Sequence, residues 1–136
     1  MIELINTMEQ TVEIGMSVVY NNTVFRSKGG GESYRGDGGQ IRLNRPGVYR
    51  VTFNGNIAVP EGETVGEISI GITQDGEVLN GTIARVTPAA VEEFFNVSAQ
   101  TLVCVPCGCC VTVAVRNTSD IPALVDNPNF NAVRVC

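Results

Sequence analysis

Hydrophobic and polar positions alternate along most of this chain. Tyr49, Val51, Phe53 and Ile57 fall on one parity with Gly55, while Arg50, Thr52, Asn54 and Asn56 fall on the other. Successive strand side chains point to opposite faces, so the run after Pro46-Gly47 predicts a half-buried strand. Ile68, Ile70 and Ile72 alternate with Glu67, Ser69 and Gly71, and Phe95, Val97, Ala99, Thr101 and Val103 alternate with Asn96, Ser98 and Gln100. Val111, Val113 and Val115 alternate with Thr112, Ala114 and Arg116, and a last run covers Phe130 to Cys136. Breakers separate the runs: Glu61-Gly62-Glu63 predicts a turn, and Gln74-Asp75-Gly76-Glu77 a hairpin leading into Val78 to Val86. Short strands at regular spacing predict an all-β sandwich, with one domain spanning 1–136.

The first forty residues are patterned less clearly. Thr11 to Tyr20 and Thr23 to Phe25 read as strands, and Met1 to Met8 fits a tail, an extra strand or a helical turn. Residues 1–20 are therefore expected to be an N-terminal arm or a first strand. Ser27 to Gly39, reading SKGGGESYRGDGG, predicts a glycine-rich surface loop.

Composition narrows the function classes. The net charge is -5, and the arginines are spread singly from Arg26 to Arg134, so no basic patch collects phosphates and nucleic acid is not an expected partner. No apolar run reaches membrane-spanning length, so no membrane insertion is expected. Met1 to Tyr20 carries Glu3, Glu9 and Glu13 and no Lys or Arg, unlike a secretory leader, which predicts synthesis in a cytosol without a signal peptide. The chain has no histidine and no serine in a nucleophile-elbow context, so enzymatic catalysis is not expected and no cofactor is called for.

Four of the five cysteines fall within CVPCGCC, residues 104–110. Zinc needs four ligands, usually as two separated pairs, so Cys104, Cys107, Cys109 and Cys110 are weak metal candidates, and no metal is assigned. A redox role for Cys104-Val105-Pro106-Cys107 would need a helix start where the pattern gives strand. The plainer reading makes Val105-Pro106-Cys107-Gly108 a turn, with Cys104, Cys109 and Cys110 as small packing residues at strand ends. In a plain hairpin Cys104 and Cys110 would face each other and bridge on oxidation; in a loop between sheets they would not.

Arg35-Gly36-Asp37 matches an integrin-binding tripeptide, a short pattern that chance also supplies. Tyr34, Arg35 and Asp37 are the candidate ligand contacts of the glycine-rich loop. Asn21, Asn80, Asn96 and Asn117 each begin a glycosylation acceptor pattern that reads as incidental. Glu61/Glu63 and Glu92/Glu93 lie beside turns, where solvated charge is the default.

Residues 36–58, GDGGQIRLNRPGVYRVTFNGNIA, resemble the signature of the trimeric jelly rolls that include the globular heads of complement and tumour necrosis factor. Gly39, Ile41, Pro46, Gly47, Val48, Tyr49 and Phe53 match or nearly match it, with Ile41 replacing a usual Phe. Gly108 to Val115 resembles the start of a later strand, and Phe130-Asn131-Ala132 stands where the family ends in Phe-Ser-Gly. The resemblance implies a two-sheet jelly roll of about ten strands, assembled as a homotrimer, whose role is display and binding. It places residues 91–104 and 109–116 in opposite sheets and Cys136 at the pole away from the cysteine cluster. The histidine-free, Asn- and Thr-rich character is similar to bacterial and phage versions of this fold. The expected function is a structural and adhesive module, the trimeric tip or decoration of a phage or bacterial surface assembly, displayed on a virion, cell or spore surface. The alternatives are recognition of a host glycan or receptor through polar loops, and a thiol-metal site at the trimer axis.

Overall fold

The structure, a computed structural model, describes residues 1–27, 32–35 and 39–136, with the backbone alone for 32–35. Among the described residues there are twelve strands: β1 (Ile2–Ile5), β2 (Gln10–Val12), β3 (Asn22–Arg26), β4 (Glu32–Arg35), β5 (Gln40–Leu43), β6 (Gly47–Ala58), β7 (Ile68–Gln74), β8 (Glu77–Val78), β9 (Ala84–Val86), β10 (Phe95–Val105), β11 (Val111–Asn117) and β12 (Ala123–Arg134). They form two six-stranded sheets. The first has the order β10-β6-β12-β1-β3 with β2 also on β12; the second has β4-β5-β11-β7-β8 with β9 also on β7. The strand pairings are antiparallel.

The alternating runs place the core between the sheets. Tyr49, Val51, Phe53 and Ile57 of β6 are fully buried and meet Ile41, Leu43, Ile70, Ile72, Val113 and Val115 from the second sheet within one apolar cluster. Gly55 keeps this parity because a Cβ there would meet the Phe53 ring at 3.0 Å and the Pro128 backbone at 3.3 Å. Burial of such side chains contributes about 1.5–3 kcal/mol each. β7 is buried on both faces: a Cβ at Gly71 would meet Val78 and Ile83, which cover the outer side.

Asp75-Gly76 makes the expected two-residue hairpin, with φ of 50 and 88 in the left-handed region that such turns need. The strand expected over Val78 to Val86 is interrupted. β8 and β9 pair with opposite ends of β7, and between them Thr82 donates to the Leu79 carbonyl at 2.7 Å. β12 begins seven residues before the expected start at Phe130. The pattern hides this because Pro128 cannot donate to a ladder. A register shift between Asp126 and Asn129 accommodates it, with Asn127 at φ 52.

The N-terminal segment packs on its own chain. β1 lies between β12 and β3, while Thr11 to Tyr20 is a strand only at its start. The rest crosses to the second sheet, where Val18 donates to the Val115 carbonyl at 2.8 Å and Asn117 to the Met16 carbonyl at 2.9 Å. Gln10 substitutes for a strand partner, accepting from Val19 N–H at 3.0 Å and donating to its carbonyl at 2.8 Å. The loop expected over 27–39 contains β4, paired with β5.

Gly39 sits where this segment meets β5. Its φ is +65 and a Cβ would fall 2.0 Å from the Val18 carbonyl oxygen. Gly39→Ala is expected to lower the unfolding free energy by about 2 kcal/mol or more, because backbone must move. Gly62→Ala, also at positive φ but in open space, is expected to cost about 1 kcal/mol. Urea denaturation of the two variants checks the difference.

Candidate functional site

Three surface features stand out. The first is the outer side of the first sheet, where the strand parity that buries apolar residues turns amides outward. Asn96 donates to the Asn54 and Asn56 side-chain oxygens at 2.9 and 3.1 Å, and Asn129 donates to Glu3 at 2.9 Å while accepting from Asn131 at 3.0 Å. This face is bounded by β10, which among the described residues pairs with β6 alone and leaves its other edge without a strand partner. β10 has eleven residues without Asp, Glu, Lys, Arg or Pro. Its outward side carries Leu102, 63% exposed, and its first residue Phe95 and the preceding Phe94 are exposed as well. Long edges normally carry a charge or proline that blocks pairing with another chain.

The second feature is the end of the sandwich where β6 begins and β10 and β12 finish. β10 and β11 lie in opposite sheets, so CVPCGCC is a sheet-crossing loop. Its turn lies one residue later than expected: Cys109 donates to the Pro106 carbonyl at 3.3 Å, and Gly108 takes the left-handed position at φ 80. All five cysteines are free and exposed. This overturns the reading of Cys104, Cys109 and Cys110 as packing residues, because Val103, Val105 and Val111 take the inward positions beside them. Cys104 projects outward from the first sheet, whereas Cys110 accepts from Arg42 of the second sheet at 3.1 Å. Cys104 is thus part of β10 in the first sheet, and Cys110 the loop residue that leads into β11 of the second.

Cys136 does not go to the opposite pole. Val48 pairs with Cys104 on one side and accepts from Val135 at 2.8 Å on the other, with its own N–H directed to the Cys136 carbonyl at 3.3 Å. The register of β12 with β6 carries the C-terminus to the pole where β10 ends. The five thiols thus share one pole. Among the described residues, no three His, Cys, Asp or Glu side chains are arranged to hold a metal ion.

The third feature is a cleft of about 340 Å³ at the other pole, lined by Ser69, Arg85, Thr118, Ser119 and Asp120 among others. Ser69 and Thr118 share a 2.6 Å hydroxyl hydrogen bond, and Arg85 stands 3.7 Å from Glu67. The sequence signals for this cleft were weak, since its members come from three separate segments. Of the predicted ligand contacts, Tyr34 and Arg35 lie in β4, and Asp37 is outside the described residues. Glu61 and Glu92 are exposed at turns. Among the described residues no helix is long and apolar enough to cross a membrane.

Of the four acceptor asparagines, Asn117 is 1% exposed. Its amide donates to the Val12 and Ile121 carbonyls, both at 3.0 Å, and its oxygen accepts from Ser119 N–H at 2.9 Å and from the Ser119 hydroxyl. It fixes the floor behind the cleft and ties β2 to the β11–β12 loop. Asn117→Ala removes these bonds from the Val12 carbonyl and the Ser119 N–H, while the Ser119 hydroxyl keeps the Ile121 carbonyl, and is expected to cost about 3 kcal/mol in denaturant unfolding.

No family model and no curated protein matches the chain. Solved structures do. The globular domain of zebrafish complement 1qA protein aligns at TM-score 0.69 and 11% identity, covering 99% of this chain and 96% of that one. Eiger TNF from S. frugiperda aligns at TM-score 0.71 and 10% identity, covering 99% and 91%. The chain is an all-β, two-sheet protein with the jelly-roll architecture of these complement and tumour necrosis factor structures.

Proposed function

We propose that this chain is a structural and adhesive surface module that works as a homotrimer, the tip or decoration domain of a phage or bacterial surface assembly, and not an enzyme. The observation that carries the trimer is β10: an eleven-residue open edge with no charge and with Leu102 exposed. Such an edge is an association site unless something covers it. The amide-lined face of the same sheet, which also carries Glu3, Arg50 and Asp126, is its counterpart. Edge against face is a heterologous contact, which closes into a ring when the rotation permits, and three copies is the closure implied by the sequence resemblance. The bacterial or phage setting rests on the histidine-free, Asn- and Thr-rich composition.

A second reading is supported by the cleft at the pole away from the cysteines. Exposed Arg85 and Asp120, beside the mutually bonded Ser69 and Thr118 hydroxyls, offer a donor and an acceptor of the kind that a polyhydroxylated ligand such as a glycan requires. In this reading display and recognition belong to the same module.

Light scattering is expected to give three times 14.5 kDa in the presence of reductant. Leu102→Glu, which places a charge on the open edge, is expected to give 14.5 kDa with the fold retained by circular dichroism. A monomeric parent, or an unchanged trimer in the variant, would contradict the interface. For the second reading, glycan-array binding that disappears in Arg85→Ala is expected; an array without signal from intact trimers would remove it.

A further inference from the structure

Five exposed thiols are an unusual burden for one small domain. Exposed free cysteine invites oxidation and mispairing, and nothing in the packing of this chain requires it. Their placement is asymmetric: Cys104 lies at the end of β10, three more lie in the β10–β11 loop, and the C-terminal Cys136 arrives at the same pole beside Val48. The opposite pole has none. Their surroundings also differ. Cys104 lies on the broad outer side of the first sheet, Cys110 is held by Arg42, and Cys136 is anchored through its backbone to β6. Cys107 and Cys109 instead belong to the turn that extends beyond both sheets, set by Gly108 at φ 80.

We propose that this pole is a covalent joint between two copies of the protein's assembly, made by disulfides between Cys107 or Cys109 of one copy and the same turn of the other. Because the thiols occupy only one pole, joining consumes the reactive surface and stops at two units. The in-chain alternative from Cys104 to Cys110 is opposed by the sheet crossing, which leaves Cys104 in β10 of the first sheet and Cys110 just before β11, bonded to Arg42 of the second. An odd number of thiols in each chain also leaves at least one without an in-chain partner.

The chemistry is thiol–disulfide exchange with a low-molecular-weight disulfide such as glutathione disulfide. A turn thiolate attacks the disulfide, forming a protein–glutathione bond and releasing one glutathione thiolate. The thiolate of the facing turn then attacks the protein sulfur, forming the interchain S–S bond and releasing the second glutathione. Two cysteine thiols are oxidised, one disulfide is reduced to two glutathione thiols, and the two protons pass to them. The inference rests on the surface-module reading only for the size of the unit that doubles.

The test incubates reduced protein, freed of reductant, with glutathione disulfide, followed by light scattering and by denaturing electrophoresis without reductant. The mass before oxidation reports the oligomeric state separately. On oxidation the native mass is expected to double once, whatever its starting value, with covalent chain pairs on the gel and reversal by dithiothreitol. Cys107→Ser/Cys109→Ser is expected to stay at the starting mass, and Cys104→Ser/Cys136→Ser to double like the parent. Covalent pairs without doubling would place the bonds inside one assembly and overturn the proposal. So would loss of thiols without covalent pairs, growth beyond doubling, retention of all thiols, or doubling that survives in the Cys107/Cys109 variant.

Discussion

The inward face of β6 is the constraint on which the rest depends. This twelve-residue strand lies between β10 and β12, and its Tyr49, Val51, Phe53 and Ile57 side chains are fully buried against the other sheet. Strand side chains alternate strictly, so a slip of one residue would send all four into water and bring Arg50, Thr52 and Asn54 into the core. The same register dictates the surface. It turns Asn54 and Asn56 outward to meet Asn96, and it sets Val48 between Cys104 and the C-terminus. The amide face and the thiol pole are thus consequences of one buried parity.

That parity was readable in the chain because apolar and polar residues alternate through β6, β7, β10 and β11. The Asp75-Gly76 hairpin was readable from its residue types, which tolerate positive φ. Other elements depend on partners far away in sequence. β12 extends through Pro128 because a bulge against β6 absorbs it, and no local rule indicates that. β4 forms inside a glycine-rich stretch because β5 offers it an edge. The crossing of Thr11 to Tyr20 to the second sheet depends on the carbonyls of β11, which lie about a hundred residues on.

The surface features were less legible than the fold. The cysteine cluster was visible, but its exposure was not, since Cys packs in cores as readily as it reacts at surfaces. Only the inward positions of Val103, Val105 and Val111 decide between these roles. The pole reached by Cys136 follows from strand pairing and not from sequence order. β10 shows the opposite case: its lack of charge is plain in the sequence, but it becomes informative only once the strand is known to be an edge.

In the proposed assembly the uncharged edge is covered, so the amides of β10 report it most directly. Hydrogen exchange of the peptide covering residues 95–105, in reduced protein at concentrations where the assembly is intact, reads that edge without altering it. Protection along β10 as strong as in the central strand β6, falling away on dilution, is expected of an assembly that covers this edge. Rapid exchange of the edge amides at every concentration would mean that nothing covers β10, and would contradict the proposed assembly.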